Sequence, residues 1–113
     1  MMIEKTVLDH LSRVLDPVQV YMEFPDKKET TFVVIEKTGS GITNGIRSAT
    51  IAVQSLADSL YNAAILNEKV KIAMDDLITN DEIGRVSLDS DYNFTDTQTK
   101  HHRYQAVYQL IHY

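Results

Sequence analysis

A chain of 113 residues with a formal net charge of −5 and no cysteine is long enough for one cored domain, without disulfides or thiolate metal sites. The acidic balance argues against nonspecific nucleic-acid binding as the main task, because phosphate recognition needs a basic footprint. No apolar run approaches the ~20 residues of a helical membrane span, and Met1-Met2-Ile3-Glu4-Lys5 lacks a signal peptide's apolar centre, so a soluble product made in a cytoplasm is expected.

Ile3, Val7, Leu8, Leu11, Val14 and Leu15 recur at helical spacing, with Glu4, Lys5, Asp9 and Arg13 on the other side. Asp9 and Arg13 form an i,i+4 pair in the favourable order. Pro17 ends this first helix by disfavouring the α region at Asp16. Val18, Val20 and Met22 then alternate with Gln19, Tyr21 and Glu23, which predicts a half-buried strand. A polar turn at Pro25-Asp26-Lys27-Lys28-Glu29 leads to the stretch from Thr31 to Glu36. That stretch is β-branched and apolar on both faces, the composition of a strand placed centrally in a sheet. Lys37 to Gly45 holds three of the four glycines and ends in Asn44-Gly45, predicting a long, mobile hairpin arm between two strands. Ile42 within the arm either folds back onto the core or waits for a partner, and Asn44 sits at its tip.

From Ile46 to Val53 the chain reads as a strand, with Ala49, Ile51 and Val53 on one face and Ser48, Thr50 and Ala52 on the other. Ser55-Leu56-Ala57-Asp58 resembles a capping-box start for the longest helical pattern in the sequence. Ala57, Leu60, Tyr61 and Ala64 make one apolar stripe; Val70, Ala73, Met74 and Leu77 make another, displaced around the axis. The displacement predicts a bend near Leu66-Asn67, or two helices with Asn67 capping the second. After a polar exit at Thr79-Asn80-Asp81-Glu82, Val86 and Leu88 alternate with Arg85, Ser87 and Asp89 as a fourth strand. Asp91 to Lys100 reads as a polar connection. The last strand sets His102, Tyr104, Ala106, Tyr108 and Leu110 on one face, with Val107 and Ile111 on the other. The expected fold is α+β in the order α-β-β-β-α-β-β. Two helices cover one face of a small, mostly antiparallel sheet of about five strands in a single domain spanning residues 1–113.

Sites of chemistry are hard to assemble from these residues. Lys37-Thr38-Gly39-Ser40-Gly41 lacks the phosphate-loop spacing and precedes no helix. Asp89-Ser90-Asp91-Tyr92-Asn93 imitates a calcium loop, but Phe94 stands where the turn needs Gly and Lys100 where the ion needs Glu. His101 and His102 would point to opposite faces of a strand, and His112 lies roughly 33 Å from His102 along it. No catalytic residue, metal or cofactor is therefore expected. One charge pattern survives: seven acids between Asp75 and Asp96 stand against Arg85 alone. Asp81, Glu82, Asp89 and Asp91 are the candidates for an acidic face.

Phe32-Val33-Val34-Ile35-Glu36-Lys37-Thr38-Gly39, the junction Ala49-Thr50-Ile51-Ala52-Val53-Gln54-Ser55, and the tail Ser90-Asp91-Tyr92-Asn93-Phe94-Thr95-Asp96-Thr97 with Tyr104-Gln105-Ala106-Val107-Tyr108 resemble small tail proteins of long-tailed bacteriophages, in particular tail terminators. The likeness covers nearly the whole chain, and the family carries no catalytic motif. It implies a ring, usually a hexamer, seated on the tail-tube protein and presenting a surface to the head–tail connector, in the virion at the head–tail junction. It implies no enzyme, cofactor or metal. Ile42, Asn44, Val107 and Ile111 are the candidates for subunit or partner contacts. If Asp81, Glu82, Asp89 and Asp91 line the ring's lumen they would repel passing DNA; if they lie outside, they serve solvation only. A stopper or adaptor of the same head–tail junction is the close alternative. A small-ligand regulatory domain, which two helices on an antiparallel sheet can also host, is the more distant one.

Overall fold

The computed structural model describes residues 2–26, 29–99 and 101–113. The turn residues Lys27 and Lys28 and the loop position Lys100 lie outside the described residues. Helix α1 (Ile3–Val14) leads to strands β1 (Gln19–Tyr21), β2 (Phe32–Thr43) and β3 (Ile46–Leu56). Helix α2 (Leu60–Asp76) follows, then a 3-10 turn (Leu77–Thr79) and strands β4 (Ile83–Asn93) and β5 (Arg103–His112). The five strands form one sheet in the order β1-β2-β3-β5-β4. Only the short β1–β2 pair is parallel; the other three are antiparallel. This is the α+β architecture that the element order predicts.

Period-two alternation aims one side of the sheet at the helices. Val33 and Ile35 of β2, Ala49, Ile51 and Val53 of β3, and Ala106, Tyr108 and Leu110 of β5 share one buried cluster with both helices. Register locks them together: Ile51 lies opposite Tyr108, and Val53 between Ile35 and Ala106. From α1 come Ile3, Val7 and Leu11; from α2 come Leu66, Val70, Ala73 and Met74. Tyr108, Ala106 and Leu110 are thus core, as the last strand's pattern requires. On the opposite side Phe32, Val34 and Leu56 form a second small cluster, against which Tyr21 packs. That cluster explains why the start of β2 is apolar on both faces. β2 is interior there, between β1 and β3, although the centre of the sheet is β3.

Several local expectations give way to longer-range pairing. Ser55 does not cap α2. It continues β3, paired with Val33 on one side and Tyr104 on the other. Ser59 is the cap, its hydroxyl accepting from the Asn62 N–H at 3.1 Å. α2 does not divide into two helices: it runs as one helix of 17 residues, with Asn67 buried inside it and not capping a second. The Val70–Leu77 stripe, extended to Ala63 and Leu66, faces the core, while Leu60 and Tyr61 are left exposed. Asp9 pairs with Lys5 at 2.6 Å instead of with Arg13. Arg13 turns to His10, whose ring is buried and whose Nδ1 accepts from the guanidinium at 3.2 Å. Finally, β4 does not stop at Asp89. It pairs with β5 through Asn93, with register shifts between Ile83 and Arg85 and between Leu88 and Ser90. The calcium-loop look-alike is therefore strand, and the connection shrinks to 94–102, closed by a bridge between Asp96 and His101.

Candidate assembly surfaces

Asn44 and Gly45 hold backbone φ angles of 53° and 78°, the left-handed pair that a two-residue hairpin turn requires. Asn44 is at the tip for this conformational reason. The arm behind it is regular: Gly39–Thr43 pairs residue by residue with Ile46–Thr50. It is also less of a projection than its glycines suggest, since β5 pairs with β3 as far as Arg47. Only β2 is open there. Its partner β1 reaches no further than Val34, and every residue from Glu36 to Thr43 is exposed.

Ile42 does not fold back onto the core; it is 65% exposed. It borders a groove of about 570 Å³ between the arm and the start of α1, shared with Met2, Glu4, Lys37, Arg47 and His112. Lys37 approaches Glu4 at 3.4 Å across this groove. Val107 and Ile111 lie elsewhere, on the sheet face that no helix covers. There they are only partly exposed, flanked by Gln105 and Gln109. The four contact candidates thus divide between the hairpin and the uncovered face.

The four acids do not form one patch. Asp81 and Glu82 sit in the turn before β4, where the Asn80 side chain accepts from the Glu82 N–H at 2.9 Å. Asp89 occupies the irregular position between Leu88 and Ser90. Asp91 lies near the far end of β4, roughly 30 Å from Glu82 at ~3.3 Å per residue. Its carboxylate faces α2, within 3.4 Å of both Asn67 Nδ2 and Lys71 Nζ. Glu68, bonded to Lys71 at 2.6 Å, and then Asp91 hold that ammonium's pKa above its ordinary value. Asp91 is a structural ion-pair partner more than a free surface charge.

Sequence reading missed the polar pattern on the uncovered face. Arg103 Nη1 donates to Gln54 Oε1 at 3.3 Å, Gln54 Nε2 to Gln105 Oε1 at 3.1 Å, and Gln105 Nε2 to the Tyr92 hydroxyl at 2.6 Å. Further along, Thr50 donates to Gln109 Oε1 at 2.9 Å. The signal was present as Gln and Thr at alternate positions, but their partners are 51 and 59 residues apart in the chain. His101 and His112 stand at opposite ends of β5. Among the described residues, no three His, Asp or Glu side chains gather as metal ligands, and no helix is long and apolar enough to cross a membrane. The chain matches no family model and no curated protein.

Proposed function

We propose that this protein is a structural subunit of a long-tailed phage virion. It forms a ring on the end of the tail tube, stops tube growth and joins tail to head. The reading comes from the sequence resemblance to tail terminators, and one observation of the fold supports it above others. Glu36–Thr43 is an exposed edge, paired on one side only apart from the irregularity at Thr38, that leads to Ile42 and Ile46 at the tip. A free strand edge invites pairing with another chain, and an unprotected one is a hazard unless a partner uses it. Ile42 gives that edge an apolar anchor. The ring order of six rests on the resemblance alone.

The test is electron microscopy of purified protein mixed with polymerising tail-tube protein. A terminal disc should appear, and tubes should stop lengthening. Tubes that keep growing in excess protein would remove the terminator role. A disc seen instead on portal or adaptor rings would reassign the protein as a stopper.

A further inference from the structure

The outer side of α2 and the uncovered sheet face match each other, and they lie on opposite sides of the molecule. On the outer side of α2, away from the sheet, apolar residues have nothing over them: Tyr61 is 74% and Ile72 71% exposed. Tyr61, Ile65, Glu68, Ile72 and Asp76 follow at steps of three and four, which aligns them along one line of the helix, and Asp58 precedes the cap Ser59. The line is apolar between acids, with Asp76 at one end and Asp58 just beyond the other.

Along β3 and β5 the sheet face carries the opposite sign, and the acid Glu36 stands to one side of it on β2. The outward positions of β3 and β5 hold Thr50, Gln54, Gln105, Val107, Gln109 and Ile111, and a single charge, Arg103, at one end. Arg85 of β4 stands at the other end, opposite Ile111, with no ion-pair partner among the described residues. Beside Arg85 is a depression of about 340 Å³ lined also by Ser48, Ser87, Gln109 and Ile111. Gln109 accepts from Thr50 through Oε1, and its Nε2 donates to no described residue. Lengths agree as well. Arg103 to Ile111 spans roughly 26 Å of strand, and Tyr61 to Asp76 roughly 23 Å of helix.

We infer that the occupant of each surface is the other surface of a second copy of this chain. Ile72 enters the depression, Asp76 meets Arg85, and Glu68 receives the free amide of Gln109. Tyr61 and Asp58 run toward Arg103. The contact joins two different surfaces, so each copy keeps one of each free and the contact repeats. Such head-to-tail contacts close into a ring when the rotation allows. The inference deepens the proposed function by naming the ring's contact, and it rests on that reading only in that copies of the chain assemble.

The chain has no cysteine, so introduced pairs report cleanly. Glu68→Cys and Gln109→Cys, both at the surface, are made as separate proteins and oxidised alone and mixed. The mixture should give a disulfide-linked dimer that neither protein gives alone. The variant carrying both changes should give a ladder of linked subunits. Adding Ile72→Asp should abolish the link while leaving the melting temperature unchanged. A Glu68→Cys protein that links to itself would mean a two-fold helix-to-helix contact and would overturn the inference, as would no link at all. The two readings fail separately. A linked ladder with uncapped tubes removes the phage role but not the contact; capped tubes without the link remove the contact but not the role.

Discussion

His10 Nε2 lies 2.8 Å from the carbonyl oxygen of Ala73, joining α1 to the last turn of α2. Ala73 is one of the four residues whose carbonyls a helix C-terminus leaves without a regular partner. The Leu77 N–H, which would ordinarily serve it, turns to Met74 and Asp75 instead. The ring therefore donates from Nε2 and accepts at Nδ1 from Arg13 at 3.2 Å. Asp76 is treated likewise, its carbonyl accepting from the Thr79 hydroxyl at 2.8 Å. His10→Leu is close to the native side chain in size and orphans the Ala73 carbonyl. The expected loss is about 1–3 kcal/mol, the cost of an unsatisfied buried polar group. Urea unfolding measures it, and a loss below about 0.5 kcal/mol, the surface range, would show that the bond carries no weight.

Tyr108 sits in the middle of the core face, opposite Ile51 on one side and Leu88 on the other. Burial first, then the carboxylates of Asp75, Asp91 and Glu68, push its phenol pKa well above the ordinary value. The ring therefore stays neutral through the range in which exposed tyrosines ionise. Tyr108→Ala should cost about 3–5 kcal/mol. In a pH titration of absorbance, one tyrosine should ionise only on unfolding. Loss of a signal at the ordinary pH in the native protein would mean that this ring is not buried.

The 94–102 hairpin should loosen in acid. Asp96 Oδ1 accepts from the Gln98 N–H at 2.9 Å and from the Thr99 N–H at 3.4 Å. The bond from Gln98 is the main cause of its lowered pKa. A carboxyl whose folded-state pKa is depressed stabilises the fold above its unfolded pKa, and that contribution disappears as pH falls through the folded value. The Gln98 amide shift in NMR should therefore titrate with a midpoint below the ordinary carboxylate range. Asp96→Asn should remove that titration. A midpoint at or above the ordinary value would refute the assignment.

Ile42→Asp should leave the melting temperature of the free subunit almost unchanged, since the side chain is exposed and surface changes are mostly within about 0.5 kcal/mol. Assembly, followed by light scattering or by capping of tubes, should weaken. A clear fall in subunit stability would put Ile42 in the subunit's own core. Normal assembly would take the arm out of the interface.

What the sequence determined by itself is what period and turn chemistry encode. The 3.6-residue spacing of Ile3, Val7 and Leu11 makes α1, and strict alternation selects the buried side of β5. Asn44-Gly45 specifies the hairpin, because few residue pairs accept two positive φ angles in succession. From these the α+β class follows without any knowledge of contacts. Tertiary structure decided whatever depends on a distant partner. Ser55 fits a helix cap locally, yet Val33 and Tyr104 on both flanks keep it in β3. Asp89 to Asn93 looks like a loop until β5 offers it a ladder of hydrogen bonds. The two stripes of α2 suggest a bend when read along the chain. In the fold, one stripe meets the sheet while Leu60 and Tyr61 of the other stay exposed, so a single helix serves. Acids that adjoin in sequence are drawn apart along an extended strand, and Asp91 is turned inward by Lys71. Local rules act within a few residues, whereas strand ends, charge placement and uncovered faces are settled by pairing across the sheet.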